Sequence, residues 1–215
     1  MNRIHVLTFI ATLALCAPQL SQAEAAKEAK EANKLALEGA EASKNQEWDK
    51  AIELLRKATN LDHKYAPNLS AVYQQRAYVE ATNEQFQDAL NDYGEALKIT
   101  SDDPRIYEQR AAVEMKANDM DKALADYSQA IKLKPNETRY YLYRSYIYET
   151  KGDLKSSMGD TEKVLQLDPK NQEAVARKTR LEKITALRAP FTPIPAPSPR
   201  PSPAAAHTPH KPHKP

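Results

Sequence analysis

FQDALNDYGEA (residues 86–96) and MDKALADYSQA (residues 120–130) are two copies of one frame, set 34 positions apart. A related copy, WDKAIELLRKA, occupies residues 48–58, and another, LKSSMGDTEKV, occupies residues 154–164. The small residue of the frame falls at Ala51, Ala89, Ala123 and Ser157, so the later intervals are 34 residues and the first is 38. The four extra residues are expected in the connection near Lys64 to Leu69. A period of this length marks stacked helix–turn–helix units, each of which buries its apolar face against its neighbours.

A second small position recurs in the helix preceding each frame, at Gly39, Ala77, Ala111 and Ser145. Small side chains at both positions let the paired helices approach closely. Large residues stand beside them: Leu35, Tyr73, Tyr107 and Tyr141 in the first helices, and Trp48, Phe86, Met120 and Leu154 opening the second. Turns such as Ala117-Asn118-Asp119 and Lys151-Gly152-Asp153 supply a helix stop and then a capping residue. Pro135 and Pro169 end the second helices of units three and four, because proline lacks the donor a helix needs.

Over residues 34–171 this frame resembles the tetratricopeptide-repeat family, with several positions agreeing in register through consecutive copies. The resemblance implies an all-α fold. Its form would be a right-handed superhelix of four helix–turn–helix repeats, at about residues 32–65, 70–103, 104–137 and 138–171. QEAVARKTRLEKITALR (residues 172–188) reads as a further amphipathic helix, expected to cap the apolar face at the solenoid end. The stretch from Glu24 to Glu31 is expected to lengthen the first helix. The chain departs from the family at Glu80 and Glu114, where an aromatic is usual and which Tyr148 alone supplies. The fourth unit is the weakest match, with Ser157 and Thr161 at core positions. Arg76, Arg110 and Arg144 recur with the same period and read as structural groups in the seam between helices.

At about 100° per residue, Tyr107, Arg110, Ala111 and Glu114 point to the core, and Arg105, Glu108, Ala112 and Met115 point roughly 120° away. In the family, the second set faces a concave groove that holds segments of partner proteins. Carried over by register, the groove presents Asn33, Ala36, Ala40 and Ser43 from the first unit and Ala71, Gln74, Tyr78 and Ala81 from the second. The fourth unit gives Arg139, Leu142, Tyr146 and Glu149, with Gln75, Gln109 and Tyr143 on the shoulder. The candidate peptide-binding set is therefore Gln74, Tyr78, Arg105, Glu108, Gln109, Arg139, Leu142, Tyr143 and Tyr146. One subclass of the family grips a ligand's C-terminal carboxylate with Lys, Asn and Arg. Here those positions hold Ala36, Gln74, Glu108 and Leu142, then Ala40, Tyr78, Ala112 and Tyr146, so that clamp is absent. Tyrosine and glutamine suit an extended backbone instead, through amide hydrogen bonds and stacking on proline or aliphatic side chains. Within YYLYRSYIY (residues 140–148), the register sends Tyr141 and Tyr148 to the core, Tyr143 and Tyr146 towards the groove, and Tyr140 outward.

Composition agrees with a helical binding module. Of 215 residues only four are glycine, while 41% are hydrophobic and 28% charged, which favours helices over strands. A net charge of +2 provides no global field to recruit nucleic acid or a membrane. The repeat region holds one histidine, His63 at a helix end, and its glycines are too scattered for a phosphate loop. No catalytic residue, metal site or cofactor is expected.

The two ends are of a different kind. Met1-Asn2-Arg3 followed by the apolar run to Ala17 resembles a secretory signal peptide, expected to break its helix at Pro18 and to be cleaved after Ala23. The mature protein would be periplasmic or secreted. Cys16, in Leu13-Ala14-Leu15-Cys16, is a candidate lipidation site, although Leu15 is larger than lipoprotein signals favour. Lipidation there is the route to membrane attachment. Ten of the fifteen prolines lie between Pro190 and Pro215, a basic tail without acidic residues that reads as disordered and extended. It could act as a spacer, as an envelope attachment, or as a ligand of the protein's own groove. The sequence as a whole reads as an exported adaptor of the bacterial envelope that binds a protein or peptide partner. A structural spacer held through its tail is the alternative.

Overall fold

The computed structural model describes residues 8–188, with side chains described from residue 21 onward. The helices among them are α1 (Thr8–Lys44), α2 (Trp48–Leu61), α3 (Ala66–Thr82), α4 (Phe86–Ile99), α5 (Pro104–Lys116), α6 (Met120–Leu133), α7 (Thr138–Thr150), α8 (Leu154–Leu167) and α9 (Gln172–Arg188). They pack as consecutive pairs, α1 with α2 through α7 with α8, and the pairs stack through α2–α3, α4–α5, α6–α7 and α8–α9. The result is an all-α superhelix.

The turn inside each pair is built the same way. Gln46, Glu84, Asn118 and Gly152 take left-handed backbone, with φ of 60°, 62°, 61° and 81°. The next amide then reaches back to close the preceding helix: Glu47 N–H to the Ala42 carbonyl, Gln85 to Glu80, Asp119 to Glu114 and Asp153 to Tyr148, at 2.8–2.9 Å. Asp119 and Asp153 also cap the following helix, their carboxylates accepting from the Lys122 and Ser156 amides at 3.3 and 3.0 Å.

The small residues lie where the helices touch. Ala51, Ala77, Ala89, Ala111, Ala123, Ser145 and Ser157 are fully buried. At Gly39 a Cβ would stand 2.8 Å from Leu55 Cγ and 3.3 Å from the Ala51 carbonyl, so α1 and α2 meet as backbone on side chain. The core is unevenly composed. A continuous apolar cluster joins the first two pairs to α5, built around Leu55, Leu69, Val72, Tyr73, Tyr93 and Ile106. The later pairs have smaller clusters, around Tyr127, Tyr140 and Ile147 and around Tyr141 and Val164. Hydroxyls fill the difference: Ser157 Oγ donates to the Ser145 carbonyl at 2.8 Å, and Thr161 Oγ1 to the Ser157 carbonyl at 2.7 Å.

Several expectations are corrected. The four extra residues before the second frame do not form a loop; α3 has 17 residues where α5 and α7 have 13. The insertion is one more helical turn, because Ala66 and Leu69 find buried positions and Pro67 sits in the first turn, where no donor is required. A short 3₁₀ turn, His63–Tyr65, precedes it. Pro18 does not break α1, which runs through it to Lys44. Tyr140 does not face outward but is 1% exposed, packed with Ala111, Tyr127 and Ile147. The cause is general. Each of α3, α5 and α7 is clasped by the second helix of its own pair and by that of the preceding pair, and so buries two stripes. Val72, Ile106 and Tyr140 share one register position on the second stripe.

Ala36 and Ser43 do not reach the groove either; α3 covers them, and Ser43 Oγ donates to Gln75 Oε1 at 2.7 Å. Among the described residues no helix is long and apolar enough to cross a membrane. The side chain of Cys16 and the tail from Ala189 lie outside the described residues.

Candidate functional site

Two repeated constructions line the helix pairs, one in the seam and one on the inner face. In the seam, Arg76, Arg110 and Arg144 each fork onto an aspartate of the paired helix: Asp92, Asp126 and Asp160. The Arg110 bonds are both 2.7 Å and the Arg144 bonds both 2.8 Å. Each guanidinium also lies about 6 Å over the tyrosine three residues earlier, Tyr73, Tyr107 or Tyr141. Arg76 extends to Asp49 at 2.7 Å and Arg144 to Ser128 at 3.0 Å, which ties adjacent pairs together. The arginines are structural, as their period suggested. Their aspartate partners were visible in the sequence as a second 34-residue series, 16 positions downstream.

Glu114 sits beside this seam in the place of an aromatic. It is 4% exposed, and its Oε2 is buried without a protein hydrogen-bond partner. Burial, then the charge of Asp126, push its carboxyl up to about 8, opposed by Arg110 at 4.0 Å. Glu80 repeats the arrangement one pair earlier, and burial raises its carboxyl too.

The inner face divides the nine candidate residues between two places. Gln74, Tyr78, Arg105 and Gln109 line a cavity of about 650 Å³ between α3 and α5, with Gln46 and Trp48 at its edge. Tyr78 is 65% exposed there. Gln74 Nε2 donates to the Ser70 carbonyl at 3.3 Å, and Arg105 Nη2 to Asp103 at 2.7 Å. Asp103 thus caps α5 and neutralises the arginine together.

Glu108, Arg139, Leu142, Tyr143 and Tyr146 gather in the second place, where cavities of about 300 and 390 Å³ share Met115, Tyr143 and Tyr146. Tyr143 stacks on Tyr127, with centroids 5.4 Å apart and planes 19° from parallel, which fixes its ring. Tyr143 and Tyr146 remain 43% and 45% exposed. Arg139 Nε lies 3.0 Å from Glu108 Oε1, although burial still raises the Glu108 carboxyl. The end wall is α9, unforeseen as part of the site. Arg177, nearly buried, donates to the Leu142 carbonyl at 2.9 Å and to Ser145 Oγ, and lies 5.9 Å over the Tyr146 ring. Arg180 holds Glu149 through two bonds of 2.7 and 2.8 Å. Arg177 follows Tyr143 by 34 residues, so extending the groove register into α9 would have found it.

Arg105 and Arg139 are thus each paired with a carboxylate of the chain itself. What the site offers a ligand is amide and phenol hydrogen bonding beside fixed aromatic faces. Among the described residues no group of three or more His, Cys, Asp or Glu is placed to hold a metal ion.

Comparison with known proteins agrees with the geometry. The family described as tetratricopeptide repeat matches residues 75–137 and again 109–172. A tetratricopeptide repeat protein from Parabacteroides merdae is similar in structure, with a TM-score of 0.57 and 21% identity, over 74% of this chain and 61% of that one. The TPR domain of Arabidopsis OM64 has a TM-score of 0.50 and 25% identity, over 55% of this chain and 98% of that one. The first TPR of Spaghetti (RPAP3), bound to the HSP90 peptide SRMEEVD, has a TM-score of 0.50 and 20% identity, over 54% and 93%. No curated protein matches. Residues 75–172 thus carry tetratricopeptide repeats, and the described helices share the tetratricopeptide-repeat fold.

Proposed function

We propose that this protein is an exported adaptor that holds an extended segment of a partner protein on the inner face of its superhelix, in the assembly or maintenance of the bacterial envelope. The observation that carries the binding mode is the pair of half-exposed tyrosines, Tyr143 and Tyr146, over two adjoining cavities walled by α5, α7 and α9. A ring already stacked on Tyr127 loses little freedom when a ligand covers it, so its contact area converts efficiently into affinity. The glutamines around the first cavity supply donors and acceptors for main-chain amides. Export rests on the charged start, short apolar run and Ala23 cleavage site of the N-terminal sequence.

The test is crosslinking and recovery of partners from envelope extract. The bait is the chain from Glu24 to Pro215, compared with its Tyr143→Ala/Tyr146→Ala variant and with a version ending at Arg188. The expected result is a partner that the double variant loses and the shortened chain keeps. A partner lost only on shortening would place binding in the tail, leave the helices as scaffold, and overturn the reading.

A further inference from the structure

Each seam arginine forks onto a buried aspartate; Arg177, in the wall of the cavity of about 300 Å³, does not. Its side chain is 5% exposed, and it bonds the Leu142 carbonyl, Ser145 Oγ and, at 2.8 Å, Glu173 Oε1. The first two acceptors are neutral. Glu173 is 60% exposed and one turn away on the same helix, the weakest sort of ion pair. Arg177 Nε is buried and has no hydrogen-bond partner among the described residues; the Glu149 carboxylate 3.9 Å away is drawn to Arg180. Hydrogen bonds to aspartate or glutamate hold Arg76, Arg110, Arg144 and Arg180 above the usual arginine range, whereas burial draws Arg177 below it. A buried cation so weakly compensated favours any further anion that can reach it.

Glu173 and Arg177 line the cavity together with Leu142, Tyr143, Tyr146 and Arg139. The guanidinium is held in place, because the Leu142 carbonyl and Ser145 Oγ fix Nη1. Glu173 is free to leave, since Arg177 is its one ion-pair partner among the described residues. Arg139 is already balanced by Glu108, which leaves Arg177 as the seat for an anion. We propose that Glu173 holds the place of a ligand carboxylate: one from the partner segment, on an acidic side chain or a chain end, displaces it from Arg177 Nη2 and is anchored beside Tyr143 and Tyr146. This rests on the groove reading above and gives one of its contacts a definite chemistry. The anchor belongs to α9, outside the repeat positions at which the clamp residues are missing.

The test uses the chain from Glu24 to Pro215 and three small probes. N-acetylglutamic acid α-amide carries a side-chain carboxylate, N-acetylglutamine a terminal one, and N-acetylglutamine amide none. Binding is read from the Arg177 Nε–Hε and Tyr146 ring resonances, at one ionic strength set with sodium chloride. An acid probe should shift both resonances and the neutral probe neither. Glu173→Gln removes the internal competitor and should tighten binding of that acid about two- to fivefold, the worth of an exposed pair. A response to one acid alone supports the anchor and names the source of the carboxylate. Equal responses to all three probes, or an acid affinity that Glu173→Gln leaves unchanged or weakens, would overturn the proposal and leave the tyrosine groove standing. Silence at both resonances with every probe would sink it as well, and recovery of a partner through Tyr143 and Tyr146 then decides the groove on its own.

Discussion

At neutral pH the Glu114→Gln substitution should stabilise this protein, by an amount that vanishes in acid. The carboxyl is buried, one oxygen has no protein partner, and the guanidinium 4.0 Å away directs both its strong bonds to Asp126. Burial and Asp126 raise it from 4.5 to about 8 in the folded state. Between those values the native protein keeps a proton that the unfolded chain has released, so stability falls as pH rises through the window. At about 1.4 kcal/mol per pH unit, the two and a half units up to pH 7 set a ceiling of roughly 3 kcal/mol. Glutamine keeps the shape and the neutral charge without this proton linkage. The expected gain is about 1–3 kcal/mol at pH 7 and less than about 0.5 kcal/mol at pH 4.5. Urea unfolding followed by circular dichroism, at both pH values and one between, reads it directly. Parallel pH profiles for the two proteins would refute the reasoning, as would a variant less stable than its parent at pH 7.

The seam arginines make a complementary case: Asp126→Ala leaves the Arg110 guanidinium uncompensated and should cost about 2–4 kcal/mol in the same assay. Glu84→Gly relieves left-handed backbone on a side-chain-bearing residue and should gain about 0.5–1 kcal/mol, whereas Gly152→Ala should lose about 1 kcal/mol. Gly39→Ala forces a methyl to 2.8 Å from Leu55 Cγ and should cost about 1–3 kcal/mol, seen as a lowered Tm.

The helix pairs were legible in the sequence because close packing demands small residues at fixed positions, and Ala89, Ala123 and Ser157 announce that demand at a regular interval. The turns were legible at Gly152 and Asn118 and hidden at Gln46 and Glu84. Those two take the same left-handed backbone without the residue types that usually mark it. Tyr140 was misplaced because a single helical wheel assumes one buried face, while a helix clasped between two others buries two. The extra turn of α3 could not be told from a loop by length alone; burial of Ala66 and Leu69 decides it. Within the site, register placed Tyr143 and Tyr146 on the inner side. It could not show that Arg139 would be neutralised by Glu108, or that α9 would swing Arg177 under Tyr146. Those are distances between units, which periodicity does not encode.

The uneven core gives the two ends of the molecule different solvent thermodynamics. The first two pairs are held by one broad apolar cluster, so they carry most of the heat-capacity change of unfolding and weaken towards low temperature. The last pair and α9 lean more on hydroxyls and on the partly exposed Arg177–Glu173 and Arg180–Glu149 pairs, which answer to ionic strength. Cold therefore loosens this superhelix from its amino-terminal end, and salt loosens it from the wall beside Tyr146.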